Sequence, residues 1–256
     1  MFLAVAIGAS GAGAAHADGP TDPDALWKIV HGQCVPDDVR NHDPAPCADV
    51  ELAAGQPRGY AVLKDIVGAT QYLLIPTAPI AGIESPELLQ PGATNYFAAA
   101  WRSRTFVEQR AGRVLPRDWV SLAINSATGR TQNQLHIHID CVREDVRQAL
   151  SEHASELGAS WAPFPVPLTG HRYSAVSVQG DDLDGLDPLT MLADGLAGAR
   201  ADMGSETLVV VGMGEGGVGA DGRPGFVILA GRADPAAGNL GTGEELQDHS
   251  CALLDR

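Results

Sequence analysis

The chain has 256 residues, 45% of them apolar, which is enough to build the core of one large domain or two small ones. Thirty glycines and 17 prolines predict many turns between short elements, and therefore a loop-rich α+β protein. The net charge of −15, from 17 basic and 32 acidic residues, repels phosphate backbones, so we expect no nucleic-acid partner. An anionic substrate would need a local cluster of hydrogen-bond donors.

The first 17 residues carry no acidic or basic side chain and end in Ala15-His16-Ala17, a pattern typical of signal-peptidase sites. No basic residue precedes the short apolar run over residues 2–7, so the signal is incomplete. We expect residues 1–17 to be a signal peptide or a truncated membrane anchor, with a flexible N-terminus as the third alternative. The protein is then exported and membrane-associated, and residues 18–256 form its catalytic domain.

Four cysteines, Cys34, Cys47, Cys141 and Cys251, allow three disulfide pairings. An even number in an exported chain favours disulfides, and the absence of a CxxC spacing argues against zinc. We expect Cys34 to pair with Cys47 across a Pro- and Asp-rich loop, which leaves Cys141 for Cys251. Four free thiols are the alternative.

The apolar patterns predict the elements in chain order. A helix over residues 24–33 and a Pro-rich loop to about residue 59 precede two strands, 60–64 and 71–75, and an amphipathic helix over 94–110 covers them. Strands 119–125 and 134–140 form a hairpin, because Val120, Leu122 and Ile124 face Leu135, Ile137 and Ile139. A helix over 144–157, a strand at 173–178, a helix over 188–200 and strands at 207–211 and 226–231 follow. That order resembles the first half, so residues 172–256 are a candidate degenerate copy of the same unit.

Glycines at 212, 214 and 217 match GxGxxG directly after a strand. A dinucleotide site needs a helix to open at the third glycine, whereas Gly222, Pro224 and Gly225 lead straight into another strand. We interpret this segment as a hairpin loop rather than a nucleotide site.

The polar face of strand 134–140 carries His136, His138 and Asp140, because residues two apart on a strand point the same way. Three interpretations compete: surface histidines without a role, a metal site that uses the HxH pair with Asp140, and a histidine nucleophile that attacks phosphorus. The preceding loop, residues 126–133, is dense in hydrogen-bond donors, which favours phosphate chemistry.

These residues resemble a known superfamily. The run NSATGRTQNQLHIHID, residues 125–140, is similar to the histidine-triad nucleotide hydrolases and transferases, and so are Asp65-Ile66 and QYLLIP at 71–76. The motifs ALWKIV, PCA, GIESP, SLAIN and LQDHSC extend the resemblance to the bacterial CDP-diacylglycerol pyrophosphatase family over nearly all of residues 25–251. The resemblance implies a histidine-triad-like antiparallel sheet with covering helices.

The resemblance also implies a function: metal-independent hydrolysis of CDP-diacylglycerol, a lipid-linked nucleotide, to CMP and phosphatidate at a membrane, without a cofactor. His138 is the expected nucleophile, which forms a cytidylyl-histidine, and His136 helps to shape the site. Candidate phosphate ligands are Asn125, Gln132 and Asn133, with Asp65 as the ribose ligand.

Five further residues are candidates on other grounds. Arg130 is a natural partner for the lipid-side phosphate. Asp140 stands where a histidine triad has its third histidine, and we expect Arg130 or a neighbouring imidazole to screen its charge. A disulfide between Cys141 and Cys251 would draw Gln247, Asp248 and His249 towards the catalytic strand, unless the tail is merely solvated. Two other functions stay open: a metal-dependent phosphoanhydride hydrolase and a non-catalytic exported protein that binds nucleotide or lipid.

Overall fold

The computed structural model describes residues 22–214 and 224–255, so the expected leader over residues 1–17 lies outside the described residues. The strands are β1 (Asp49–Glu51), β2 (Tyr60–Lys64), β3 (Tyr72–Pro76), β4 (Val120–Ile124), β5 (Ile137–Cys141), β6 (Ala162–Pro163), β7 (Ser174–Gln179), β8 (Glu206–Met213) and β9 (Gly225–Arg232). In this part of the chain they form one open antiparallel sheet in the order β1-β2-β3-β5-β4-β8-β9-β7-β6. The mixed α and β class expected from the sequence is confirmed.

The α-helices are α1 (Ala25–Ile29), α2 (Val35–Asn41), α3 (Tyr96–Ala111), α4 (Glu144–Glu152) and α5 (Pro188–Gly195). Short 3₁₀ turns lie at Gln56–Arg58, Pro86–Leu89, Arg117–Trp119, Ala154–Glu156, Ala199–Ala201, Met203–Ser205, Pro235–Ala237, Gly243–Leu246 and Ala252–Asp255. Within residues 22–214 and 224–255, no helix is both long and apolar enough to span a membrane.

The N-terminal helical segment is longer than predicted. A π-turn over Val30–Cys34 joins α1 to α2, so residues 34–41 are helical where the sequence predicts a loop. Pro36 lies in the first positions of α2, where a missing N–H is tolerated, and the wider π-turn before it accommodates the lost hydrogen bond. The predicted loop also contains the short edge strand β1.

The two strands of the central hairpin pair with the predicted apolar faces on the same side of the sheet. Strands β4 and β5 pair antiparallel, with Leu122 opposite Ile139 and Ala123 opposite His138. The apolar side chains that alternate along the two strands are buried on one face of the sheet, where α3 and α5 cover them. Asn95 caps α3 by accepting a hydrogen bond from the backbone N–H of Ala98, and Gly112 ends it in a left-handed conformation.

The opposite face of the sheet is covered at its two ends and open between them. At one end α1 and the π-turn pack on β2 and β3, and at the other α4 and the C-terminal segment pack on β8 and β9. Strand β5 lies between the covered ends, and its polar face is therefore the floor of a cavity.

The two halves of the sheet repeat one pairing order. The strand before α3 and the two after it have the order β3-β5-β4, and the strand before α5 and the two after it have the order β7-β9-β8. Strands β4 and β8 pair antiparallel at the centre. This order agrees with the expected degenerate copy over residues 172–256. An internal duplication and a likeness to the histidine-triad fold both stay predictions.

The hairpin interpretation of the glycine-rich segment fits the described strands. Strands β8 and β9 pair antiparallel up to Met213 opposite Gly225, so the chain between them joins adjacent strands. The third glycine, Gly217, lies outside the described residues.

Both expected disulfides are present. Cys34 pairs with Cys47 and ties the π-turn to the segment before β1, and Cys141 pairs with Cys251. The second bond fixes the C-terminal segment to the end of β5, and Gln247 and Asp248 add backbone contacts to Val142 and Cys141. The tail therefore lies against β5, as expected for the case that Cys141 pairs with Cys251.

Candidate active site

A cavity of about 490 Å³ opens above β5, a size in the range of small-molecule sites. Its wall is apolar on the side of α1 and β3, and its floor carries imidazoles and carboxylates. The lining residues are Ala25, Leu26, Ile29, Leu63, Lys64, Asp65, Ile66, Val67, Gln71, Leu73, Asn125, Thr131, Gln132, His136, His138, Glu244 and His249.

His138 lies on β5 and His136 immediately precedes that strand, so their side chains leave the same face. The rings meet edge to face with centroids 4.9 Å apart. Both residues are buried, with 5% and 7% of their surfaces exposed. Neither is a solvated surface histidine, so the interpretation of the pair as surface residues is wrong.

The ring of His138 is held on one nitrogen. The Gln71 side-chain amide lies 2.6 Å from Nδ1, and Glu244 Oε2 lies 3.3 Å from the same atom. Asn125 donates from Nδ2 to the other oxygen of Glu244 at 2.8 Å and so fixes the carboxylate. His138 Nε2 is buried and has no hydrogen-bond partner among the described residues.

His136 is held by its own strand. Its Nδ1 lies 2.7 Å from the backbone oxygen of Gln134, which can only accept, so Nδ1 carries the proton. The side chain of Gln134 is buried and donates to the backbone oxygens of Pro76 and Ala78, which fixes the start of the strand. His136 therefore presents Nε2 as an acceptor.

Burial keeps both imidazoles neutral at neutral pH. Burial lowers the pKa of His138 to about 4, and the charge of nearby His249 acts in the same direction. Burial, with the neighbouring His138, also lowers the pKa of His136 to about 4. A neutral imidazole is the form that attacks phosphorus.

Asp140 is fully buried and has two side-chain partners. Thr70 donates from Oγ1 to Oδ1 at 2.8 Å, and His249 Nδ1 lies 2.9 Å from Oδ2. Burial raises the pKa of Asp140 although these bonds oppose the rise, and the bond to Asp140 raises the pKa of His249. Two groups were expected to screen the charge of Asp140. The imidazole of His249 does so, whereas Arg130 bonds Glu84 instead.

The residues expected to bind phosphate or ribose do not all line the cavity. Asn125 and Asp65 do line it, and Asp65 Oδ1 accepts a hydrogen bond from the backbone N–H of Val67. Gln132 lines the wall, but its amide accepts from Leu26 N and donates to Asp22 O, so it holds the start of α1.

Arg130 and Asn133 are not among the cavity-lining residues. Arg130 donates to Glu84 at 2.6 Å on another side of the loop. Its guanidinium lies where Gly82 leaves no side chain, since a Cβ on Gly82 would meet it at 2.2 Å. Asn133 is exposed, and its backbone N–H donates to Pro23 O. The expected phosphate contacts of these two side chains do not agree with this arrangement.

Three residues of the site were not expected from the sequence. Gln71 and Thr70 come just before β3, where polar residues ahead of an apolar strand are common and carry no signal. Glu244 follows a Gly-rich segment 106 residues after His138, and no local pattern links the two. Only the position of Gln71 at the start of the quoted motif QYLLIP could have singled it out.

The metal interpretation of the HxH pair has a geometric requirement, namely a third ligand. Within the described part of the chain, no three His, Cys, Asp or Glu side chains are arranged to hold a metal ion. Asp140, which was expected to be able to join the pair, points its two oxygens at Thr70 and His249 instead.

The fold and the cavity first define a class: a mixed α and β protein in which buried imidazoles lie at a cavity with a polar floor and an apolar wall. Comparison with known proteins then gives the family. The family described as CDP-diacylglycerol pyrophosphatase matches residues 21–255. A protein of Yersinia pestis named CDP-diacylglycerol pyrophosphatase is 42% identical over 234 residues, which cover 91% of this chain and 86% of that protein. The chain belongs to the CDP-diacylglycerol pyrophosphatase family and is a hydrolase.

Proposed function

We propose that this protein hydrolyses the phosphoanhydride of CDP-diacylglycerol to CMP and phosphatidate, with His138 as a nucleophile that becomes transiently cytidylylated. One observation carries the mechanism: His138 Nε2 is buried at the cavity and lacks a partner among the described residues. A buried polar atom without a partner is costly, so its retention at a cavity points to a ligand atom that completes it.

The tautomer of His138 follows from its neighbours. A carboxylate only accepts, so Glu244 favours a proton on Nδ1. The oxygen of Gln71 is buried without a partner in the described structure, and a 180° turn of the amide places it against Nδ1. Gln71 then also accepts from Nδ1–H, and Nε2 keeps the lone pair that attacks.

The reaction has two steps. In the first, Nε2 forms a bond to the cytidylyl phosphorus while the bond from phosphorus to the bridging oxygen breaks and phosphatidate leaves. The imidazole becomes cationic because Nδ1 keeps its proton, and the Glu244 carboxylate at 3.3 Å stabilises that charge. In the second, water attacks the same phosphorus, the P–N bond breaks, and CMP and neutral His138 are released.

The cavity suits a ligand with unlike ends. Leu26, Ile29 and Leu73 form an apolar wall, and Asp65 stands at its edge. By the resemblance stated above, Asp65 is the ribose ligand. We keep Asn125 in the site, but as the residue that fixes Glu244 rather than as a free phosphate ligand. No step needs a cofactor.

We also propose that the enzyme is exported and works against a membrane. The support is an apolar edge on the cavity: Ile66 is 100% exposed and Val67 is 54% exposed, side by side in the loop between β2 and β3. Adjacent exposed apolar side chains at the mouth of a site are typical of surfaces that meet apolar partners. A lipid-linked substrate provides such a partner.

The test is CMP release from CDP-diacylglycerol in detergent and chelator, by wild type, His138→Ala and His153→Gln. His153 is the matched control because its Nδ1 also bonds a carboxylate, Glu156, but on the end of α4. We expect His138→Ala to lose at least about 10⁴-fold in kcat and the control to equal wild type. Labelled CMP should be trapped on wild type and not on His138→Ala.

Each rival predicts a different result. Undiminished CMP release by His138→Ala would rule out this nucleophile. Loss of wild-type activity in chelator, restored by zinc, would favour a metal-dependent hydrolase. Binding of CMP without turnover or trapped label would indicate a binding protein.

A further inference from the structure

We propose that His249, on the C-terminal segment, is a second catalytic residue: its imidazolium binds the leaving phosphate, and the neutral ring then takes a proton from the attacking water. This inference rests on the proposed function of His138. The sequence places His249 only as a supporting residue next to the catalytic strand, whereas the structure places it in the cavity lining with His136 and His138.

The position of His249 is built rather than accidental. Its backbone oxygen accepts from Ala69 N at 2.9 Å, the preceding Asp248 donates from its backbone to Cys141 O at 2.8 Å, and Cys251 is disulfide-bonded to Cys141. Asp140 Oδ2 accepts a hydrogen bond from His249 Nδ1 at 2.9 Å. A carboxylate that accepts from Nδ1–H fixes the ring and leaves Nε2 as the nitrogen that meets a ligand.

A diphosphate in the cavity would face the lining carboxylates Asp65 and Glu244. Among the described lining residues, Lys64 and His249 are the cationic candidates, and the bond to Asp140 raises the pKa of His249. Lys64 Nζ donates to the backbone oxygens of Asp65 and Gly68, which hold it at the loop between β2 and β3. His249 is instead anchored to Asp140 on β5, so its Nε2–H is the cationic donor on the cavity floor with His138.

The proton balance closes with this residue. In the first step Nε2–H of His249 passes its proton to the departing phosphatidate as the P–O bond breaks. In the second step the neutral Nε2 takes a proton from the water that attacks phosphorus, as the P–N bond breaks. His138 Nδ1 keeps its proton throughout. The imidazolium is thus restored, and the net reaction is addition of water across the phosphoanhydride.

The two steps depend on His249 to different degrees. A phosphate monoester with a second pKa near 6 leaves without a proton, so the first step survives loss of the acid. Water needs a base to attack the cytidylyl-histidine, so the second step does not. Loss of His249 should therefore convert the enzyme into one that stalls as the covalent intermediate.

The experiment is rapid quench of His249→Gln with CDP-diacylglycerol labelled in both halves, beside wild type, His138→Ala and His153→Gln. We expect His249→Gln to release about one phosphatidate per enzyme in a burst, to retain labelled CMP, and to turn over about 10²-fold more slowly. The His153→Gln control should match wild type.

The outcomes separate the two proposals. Turnover of His249→Gln within threefold of wild type, or slow turnover with neither burst nor retained label, would overturn the role of His249. CMP release by His138→Ala would instead overturn the nucleophile. A His249→Gln chain that fails to fold is recognised by its melting temperature. The double variant Cys141→Ser, Cys251→Ser then replaces it, because it keeps the ring but frees its segment, and the burst is again expected.

Discussion

The face of the sheet opposite α3 differs between its two halves. On the N-terminal half, strand β5 presents His138 and Asp140 to a cavity, and both are buried polar groups that cost free energy. On the C-terminal half, β9 presents Val227 and Leu229 on the same face, packed in an apolar cluster with Phe164 and Leu168. The same pairing order of strands thus supports a polar cavity in the N-terminal half and an apolar core in the C-terminal half.

The apolar half of the sheet can offset the free-energy cost of His138, whose Nε2 has no hydrogen-bond partner among the described residues. Strands β8 and β9 form the longest pair of the described sheet, with eight paired positions, and the polar residues Glu206, Thr207 and Arg232 lie at one end of that pair. The burial of apolar surface there stabilises the sheet that positions β5. Two neighbouring glutamates lie where the two halves meet. Glu244 contacts His138, and Glu245 bonds His171 and Tyr173 of the apolar half.

The largest effect should come from exchanging one residue in each half for alanine. His138→Ala should lower kcat at least about 10⁴-fold, whereas its cost in the free energy of unfolding should stay below that of Leu229→Ala, because the variant removes the unpartnered Nε2 but also takes Nδ1 from Gln71 and Glu244. Leu229→Ala should cost about 3 kcal/mol of stability and leave kcat per folded molecule unchanged. Turnover and urea denaturation, measured on both variants, check this. A Leu229→Ala protein that folds stably but is inactive would contradict it.

The next effect tests the border between the halves. Glu244→Gln should lower kcat about 10²-fold, about 2.7 kcal/mol of barrier, because the amide no longer stabilises cationic His138. Glu245→Gln, one residue along, should keep kcat within about twofold and lower the melting temperature, because it weakens the bonds to His171 and Tyr173. Equal losses of kcat in the two variants would show that Glu244 acts only through the fold.

The pH dependence should be bell-shaped with a wide plateau. His138 attacks when neutral, and because burial lowers its pKa to about 4, kcat/KM should fall only as pH drops through about 4. His249 faces the carboxylates Asp140, Glu244 and Asp65 and the ring of His138, and the bond to Asp140 raises its pKa above 6.5. Because the imidazolium of His249 binds the leaving phosphate, kcat/KM should fall as pH rises through this raised pKa, although the first chemical step still proceeds. The His249→Gln variant should keep the acid limb and lose the alkaline one, which pH profiles of kcat/KM will show.

Much of the sheet could be predicted from the sequence, because its signals are local. Alternation over four to eight residues set the β4–β5 register, and the paired cysteines followed from count and spacing. The π-turn was missed because Pro36 usually ends a helix. The histidine pair was found for the same reason as the strands, since its pattern lies within three residues.

The partners of the histidines could be predicted only in part, because tertiary contacts bring them to β5. His249 lies in the motif LQDHSC and was expected near β5 through the disulfide of Cys251, whereas Glu244 reaches β5 through the contacts of the tail and stands in no pattern of its own. The donor loop misled in the opposite way. Its polar side chains looked alike in sequence, but Gln132 is used by α1 and Arg130 by Glu84. A donor count therefore says less about a phosphate site than the direction in which each donor points.

Substitution of Arg130 should have the smallest effect, and it tests how far the site extends. Its pair with Glu84 is partly buried, and its Nε is buried with no partner among the described residues, so a desolvation cost already offsets the attraction. Arg130→Met keeps the chain volume and should cost only about 1 kcal/mol of stability, with kcat and KM within twofold of wild type. Glu84→Gln, which breaks the same pair from its other end, is the control and should behave alike. A tenfold rise in KM in Arg130→Met alone would mean that the guanidinium leaves Glu84 for a phosphate when substrate binds, and the cavity would then extend to the segment around Gly82.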